Sequence, residues 1–220
     1  MFNKIKLGFN LIKYSSKLRK NVFSIFIILI IGIIVEVLSK GTNFLGGFYL
    51  LIAGLFVSEL VTSLDLTDLI QTSPLKKQLQ TSIPVVVSNI IYLVLFTVLL
   101  IEKAILLKIY PASGDEILKS ILSVVLLNFI VIVYNGICFK YYIFSIIGLM
   151  LTVGGVSPFN NSIYQKIIEP FNYDMKWLVI IIMGYVLILL GGLIEYGIRC
   201  LLYKKPLSKI AFNGAFRDMK

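Results

Sequence analysis

Histidine is absent from the 220 residues, and cysteine occurs only at Cys138 and Cys200. Lack of histidine removes the commonest general base and metal ligand, which weighs against most intramembrane hydrolases. Two isolated cysteines make neither a disulfide framework nor a metal motif. No G-x-x-x-x-G-K-S/T sequence is present, so any nucleotide chemistry belongs to another chain. Charge is also scarce: 15% of residues are ionic, where soluble domains carry about one-quarter. What charge there is leans one way, with 21 basic against 11 acidic side chains.

Apolar sequence takes the place of what is missing, at 58% of the chain. Val22–Leu38, Phe44–Leu60, Ile83–Ile101, Ile117–Phe139 and Trp177–Ile198 are each long apolar runs with few ionic groups. Roughly 17 to 25 residues at 1.5 Å per residue match the hydrocarbon thickness of a bilayer. Another run, Tyr141–Val156, is shorter and ends in Gly154, Gly155 and Pro158. One such run could be a buried core helix. Taken together, they leave too little polar sequence to coat a water-soluble particle. The expected fold is therefore all-α and polytopic, with about six transmembrane helices. A basic segment precedes the first run, as in a secretory signal, but the run is long and no small-x-small cleavage site follows. An uncleaved signal anchor fits better.

Charge also sets the expected orientation. Lys4, Lys6, Lys13, Lys17, Arg19 and Lys20 precede the first span, and Lys204, Lys205, Lys209, Arg217 and Lys220 follow the last. An even number of spans puts both clusters on one side, and the positive-inside rule makes that side cytoplasmic. Lys76, Lys77 and Lys140 then fall inside. Lys40, Lys108, Lys119, Lys166 and Lys176 fall outside, partly offset by Asp115, Glu116, Glu169 and Asp174. Both cysteines lie near cytoplasmic helix ends, where thiols stay reduced. The net +10 thus addresses a plasma membrane surface, and no nucleic acid.

The chain divides into residues 1–20, a span domain over 21–203, and a basic cytoplasmic tail over 204–220. In the first segment Phe2, Ile5, Phe9 and Ile12 recur at helical spacing, with lysines elsewhere around the wheel. Such a helix lies in the headgroup plane, the plainer alternative being a merely basic flank to the first span. The loop Leu64–Ser82 is too long for a simple helical hairpin and starts with Asp65 and Asp68. Thr72-Ser73-Pro74 then reads as a helix start, with Ser73 capping and Pro74 at the first position. Leu75, Leu79 and Ile83 follow on one face, with Lys76, Lys77, Gln78 and Gln80 on others. This predicts a short cytoplasmic helix able to dock into a groove of a soluble partner. A solvated connecting loop is the plainer alternative. Pro84 restarts the chain as the next span. The stretch from Ser157 to Phe171 mixes turn residues with aromatics, which suits a partly embedded outer hairpin or interfacial helix.

Ionic groups in or near the spans are Glu36, Glu59, Glu102, Lys103, Lys140, Glu195 and Arg199. Charge at membrane depth is costly and marks function by default, but long side chains near an interface can snorkel. Glu36 and Glu102–Lys103 are expected near the outer interface, and Glu59 and Arg199 near the inner one. Glu195 and Arg199 stand one helical turn apart and can pair. Glu59 is singled out as a possible coupling charge because it precedes the loop helix. Asn128, Asn135 and Gly191–Gly192 read as helix-packing features.

Six spans, an amphipathic basic start, a cytoplasmic helix after span 2 and an outer hairpin between spans 5 and 6 resemble the type-two ABC exporter permeases. In residues, Ser73-Pro74-Leu75-Lys76-Lys77 looks like that family's segment just before span 3. The resemblance implies that residues 1–20 form the interfacial connecting helix and roughly Ser73–Ser82 the coupling helix, with Leu75, Leu79, Lys76 and Lys77 meeting an ABC ATPase subunit. Ser157–Asp174 would be the outer re-entrant region. It further implies a second permease copy or paralogue, membrane lipid around both, and ATP and Mg bound by the partner rather than by this chain. The expected cargo is a peptide, antibiotic or lipid-like molecule. The principal rival is a stand-alone membrane immunity or scaffold protein without an ATPase. A membrane-embedded enzyme is disfavoured by the missing histidine, and a secondary transporter by the lack of paired Gly/Pro-broken spans.

Overall fold

The structure, a computed structural model, describes residues 2–13, 18–64, 73–141, 147–152 and 160–205, with side chains at 2–5, 11, 59 and 61–64 excepted. All regular structure among them is helical. In chain order the elements are α1 (Phe2–Ile12), α2 (Leu18–Leu38), α3 (Phe44–Leu64), α4 (Lys76–Gln80) and α5 (Ser82–Ile109). A 3-10 turn (Pro111–Ser113), α6 (Gly114–Cys138), a π-helical turn (Tyr164–Ile168) and α7 (Tyr173–Leu202) follow, with residues 147–152 also helical. Among the described residues, four stretches are long and apolar enough to cross a membrane: Leu18–Leu38, Lys76–Ile109, Pro111–Cys138 and Tyr173–Leu202. Helix α3 adds 21 residues, whose apolar portion Phe44–Ser58 is shorter. Asp65, Asp68, Thr72, the side chain of Glu59, most of the run Tyr141–Val156, the start of the outer stretch and the tail beyond Lys205 lie outside the described residues.

Local chemistry explains the breaks between helices. Helix α2 stops where Lys40 and Gly41 both take positive φ, 55° and 75°. The Gly41 N–H donates to the Glu36 carbonyl at 2.9 Å and the Lys40 N–H to the Val37 carbonyl at 3.2 Å. That pair of bonds is a Schellman ending, which satisfies the last carbonyls of the helix. Asn43 Oδ1 then accepts the Leu45 N–H at 3.0 Å and opens α3. Helix α5 ends before Pro111, whose ring disfavours helical backbone at Tyr110.

Helix α6 is the central post. It packs most closely on α7 and also meets α3 and α5, while α2 leans mainly on α3. Ile117, Leu118, Ile121, Leu122, Val124 and Ile132 of α6 are buried against Tyr92, Phe96 and Leu99 of α5, Leu50 of α3, and Ile180 and Ile188 of α7. Helix α5 runs antiparallel to α6, since Lys103 near its end meets Ser120 near the start of α6. Helices α6 and α7 are parallel: Asp115 pairs with Lys176 at one end and Asn135 with Glu195 toward the other. The bundle thus has a Lys103 end and an Arg199 end.

The outside of the bundle is oily. Phe23, Phe26, Ile30, Ile33 and Val37 of α2 are exposed, as are Ile182, Val186, Leu189 and Leu193 of α7. Apolar surface on this scale requires lipid or protein around it. Helix α1 is held against the bundle: buried Gly8 faces Ile83 and Val87 of α5, and Ile12 packs beside Leu79, while Phe9 is exposed.

Candidate functional site

Two ionic networks are sealed inside the bundle, one at each end. At the first, Glu36 and Lys103 are both fully buried and 2.8 Å apart. Lys103 does not snorkel to an interface, contrary to expectation, because three acceptors converge on its Nζ. These are Glu36 Oε2 at 2.8 Å, the Gly41 carbonyl at 2.7 Å and Ser120 Oγ at 2.8 Å. An ammonium has three N–H donors, so this set satisfies it. The left-handed turn at Lys40–Gly41 is what aims that carbonyl inward. Ser120 Oγ in turn lies 2.9 Å from the Gly41 carbonyl and 2.7 Å from that of Ile117, so its proton has an acceptor while its lone pair faces Lys103. Close approach of α3 needs Gly46, where a Cβ would collide with Glu36 Cγ and Cδ.

The second network joins α5, α6 and α7 to α4. Glu195 Oε1 accepts from Arg199 Nε at 2.9 Å and from Asn135 Nδ2 at 3.0 Å, and its Oε2 accepts from Ser88 Oγ at 3.3 Å. The expected Glu195–Arg199 pair is therefore present, and both members are fully buried. Arg199 Nη1 reaches the Gln80 carbonyl of α4 at 3.4 Å, and its guanidinium lies 4.9 Å from the centre of the Phe139 ring. Nearby, Lys77 Nζ sits 5.8 Å from the Tyr203 ring. Asn135 supplies the interhelical bond expected of it. Asn128 does not: both polar atoms of its buried side chain lack a partner among the described residues.

The loop helix differs from its expected form. Ser73 Oγ accepts the Leu75 N–H at 3.1 Å, which makes a local turn, and α4 starts only at Lys76. Pro74 lies in that turn. Helix α4 breaks at Thr81, whose hydroxyl donates to the Lys77 carbonyl at 2.6 Å. Its apolar edge is divided. Leu79 is buried with Ile83 and Val87, whereas Leu75 is exposed together with Lys77 and Gln78; Lys76 is half-buried. Leu79 is thus packed within the chain.

At the Lys103 end, Tyr164 OH donates to Asp115 Oδ1 at 2.8 Å, and Lys176 Nζ donates to the same oxygen at 3.1 Å. Lys119 Nζ stands 4.9 Å over the Tyr164 ring. Burial, the hydrogen bond and the charge of Asp115 raise the Tyr164 phenol above its ordinary pKa, which keeps it a neutral donor. Asn160 Nδ2 donates to Ser123 Oγ at 2.6 Å and to the Lys119 carbonyl at 3.3 Å, tying the segment before α7 to α6.

Each network sets a serine hydroxyl against an ionic group, Ser120 on Lys103 and Ser88 on Glu195, all of them buried, and among the described residues no three His, Cys, Asp or Glu side chains group as a metal site. What both can do is fix helix positions, since a buried ion pair resists separation. Sequence reasoning found the ionic members and missed Ser120, Ser88, the Gly41 and Gln80 carbonyls, and Asn160. Serines and backbone carbonyls carry no sequence signal for such roles. No protein-family model, no curated protein and no solved structure matches this chain.

Proposed function

We propose that the chain is the transmembrane subunit of an ATP-driven exporter of the type-two ABC kind, with six spans in the plasma membrane and both termini cytoplasmic. Its cargo would be a peptide, antibiotic or lipid-like molecule. Support for the span count comes from the ends of one segment. Lys140 and Arg199 both stand over the Phe139 ring, whereas Asn160 lies beside Lys119, so residues 140 and 160 stand at opposite ends of the bundle, as a crossing segment between them requires. The cytoplasmic side is then the Arg199 end, which also carries Lys76, Lys77, Lys204 and Lys205.

One observation carries the functional reading. Helix α4 and the turn before it present Leu75, Lys77 and Gln78 outward, while the other side of α4 is joined to the bundle through Leu79 and the Gln80–Arg199 bond. A partner pressing on the outer face therefore acts on a helix tied to α5, α6 and α7. To bias access, that partner must favour one conformation over the other by a few kcal/mol, because equal contact with both shifts nothing. ATP and Mg would bind the partner ATPase, and a second permease copy or paralogue would complete the pore.

The test is affinity purification in mild detergent. A P-loop ATPase should accompany the wild type and be lost from Leu75→Asp/Lys77→Glu, with membrane insertion unchanged. Retention by the variant would remove α4 from the mechanism. If no ATPase accompanies the wild type, the stand-alone immunity or scaffold role is the better description.

A further inference from the structure

Helix α1 covers an apolar edge of the loop helix. Leu79 of α4 forms a cluster with Ile83 and Val87 of α5, and Ile12 of α1 packs against it. The approach is close. At Gly8 an added Cβ would stand 2.5 Å from Val87 Cγ2 and 3.0 Å from Ile83 Cγ2, so α1 seats this deeply only because a side chain is missing there. Leu79 is thus held by α1 as well as by α5, next to the Gln80–Arg199 bond.

The opposite side of α1 is basic. Lys6, Asn10 and Lys13 recur at i, i+4 and i+7, away from Gly8 and Ile12, and all three are exposed. Leu7 and Phe9 flank them and are exposed too. At the same end Lys76 and Lys77 lie on α4, and Arg19 and Lys20 open α2. Among the described side chains at this end the acid is Glu195, which Arg199 already holds. Seating α1 on α4 therefore crowds cations together, and their repulsion opposes the contact that the apolar cluster favours. An anion binds the seated arrangement more tightly, because more positive charge lies within a screening length of it. By linkage the anion then strengthens the seat.

The composition of the outer face selects a lipid surface as the source of that anion. Exposed Leu7 and Phe9 suit the acyl boundary, while lysines of the same helix reach headgroup phosphates. We infer that anionic phospholipid is the ligand of the outer face of α1 and holds α1 on α4, so that membrane charge sets how firmly the loop helix is fixed. This rests on the bilayer placement proposed above, with the Arg199 end at a lipid surface, and does not involve the ATPase.

Two single-cysteine proteins, each carrying Cys138→Ser and Cys200→Ser, read the seat. One has Leu79→Cys, covered by α1, and the other Gln78→Cys, exposed beside it. Each full chain is reconstituted in phosphatidylcholine vesicles with or without phosphatidylglycerol and labelled with a membrane-impermeant maleimide. The ratio of the Leu79→Cys rate to the Gln78→Cys rate cancels any effect of lipid charge on the reagent. Phosphatidylglycerol should lower this ratio about tenfold, the scale of one or two lysines at a charged surface. Salt added to the phosphatidylcholine vesicles screens the crowded cations and should lower it part of the way. Gly8→Val should raise the ratio in both lipids. Lys6→Gln with Lys13→Gln, at exposed positions outside the core, should cut the lipid response severalfold. A ratio indifferent to phosphatidylglycerol, or a response undiminished by loss of both lysines, would overturn the inference. Soluble polyglutamate that lowers the ratio where phosphatidylglycerol does not would also defeat it, in favour of an acidic polypeptide. Protein that fails to float with the vesicles would instead defeat the bilayer placement.

Discussion

The two ionic networks use the same ingredients to different ends. Glu36 and Lys103 come from separate helices, and their ammonium is saturated by a carboxylate, a carbonyl and a hydroxyl, all within 2.8 Å. Glu195 and Arg199 share one helix, and Arg199 reaches the Gln80 carbonyl of α4 at the longer distance of 3.4 Å. The first network clamps three helices and a turn. The second is strong within α7, well tied to α5 and α6, and weakly tied to the loop helix. A charged pair inside a bundle is therefore not one kind of device: what matters is which elements its remaining lone pairs and protons join.

Single truncations should separate the two. Lys103→Met leaves Glu36 buried with no cation and no compensating donor among the described residues, since its Oε1 is already unpaired. The expected loss is about 3–5 kcal/mol, the usual cost of stranding a buried charge. Arg199→Met leaves Glu195 with Ser88 and Asn135 still donating, so the loss should be smaller. Reversible unfolding in mixed micelles gives both values. Adding Glu36→Gln to Lys103→Met should recover part of the first loss. If Arg199→Met proved the more damaging, the assignment of clamp and link would have to be exchanged.

This contrast also marks how far the sequence could be read. Apolar runs predict the helices because a bilayer-length stretch without charge has few other stable conformations, and α2, α5, α6 and α7 follow those runs closely. The i,i+4 spacing of Glu195 and Arg199 made their pairing legible. The Glu36–Lys103 pair was not, since the two residues are joined only by the fold, and snorkelling was the local alternative for a lysine near a helix end. Leu79 was hard to place for a related reason. Its spacing with Leu75 and Ile83 is correct, but which of three aligned apolar residues faces the bundle depends on where α1 docks, and Gly8 and Ile12 decide that.

Within the clamp, Ser120→Ala sharpens the account further. The hydroxyl gives the fully buried Lys103 its third acceptor, and its loss leaves one N–H unmet. The expected cost is about 1–3 kcal/mol. Ser123, one turn away and half-buried, is the matched control. Its hydroxyl returns to its own helix at the Lys119 carbonyl, so Ser123→Ala should cost less in the same unfolding assay. Equal losses would mean that Ser120 contributes only its local backbone bond.

The smallest effect tests the surface rather than the interior. Two glycines of α7 differ sharply in what a methyl group would meet. At Gly192 it would collide with the Asn89 amide, whereas at Gly197 it would meet nothing within 4 Å. If Gly197 faces lipid, Ala there removes only the backbone freedom of glycine, and unfolding should become harder by about 0.5–1 kcal/mol. Small residues also let a second helix approach closely. Should Gly197→Ala instead destabilise the protein or weaken its self-association, the open space on that face of α7 belongs to another chain, and the exposed leucines beside it are an interface rather than a lipid contact.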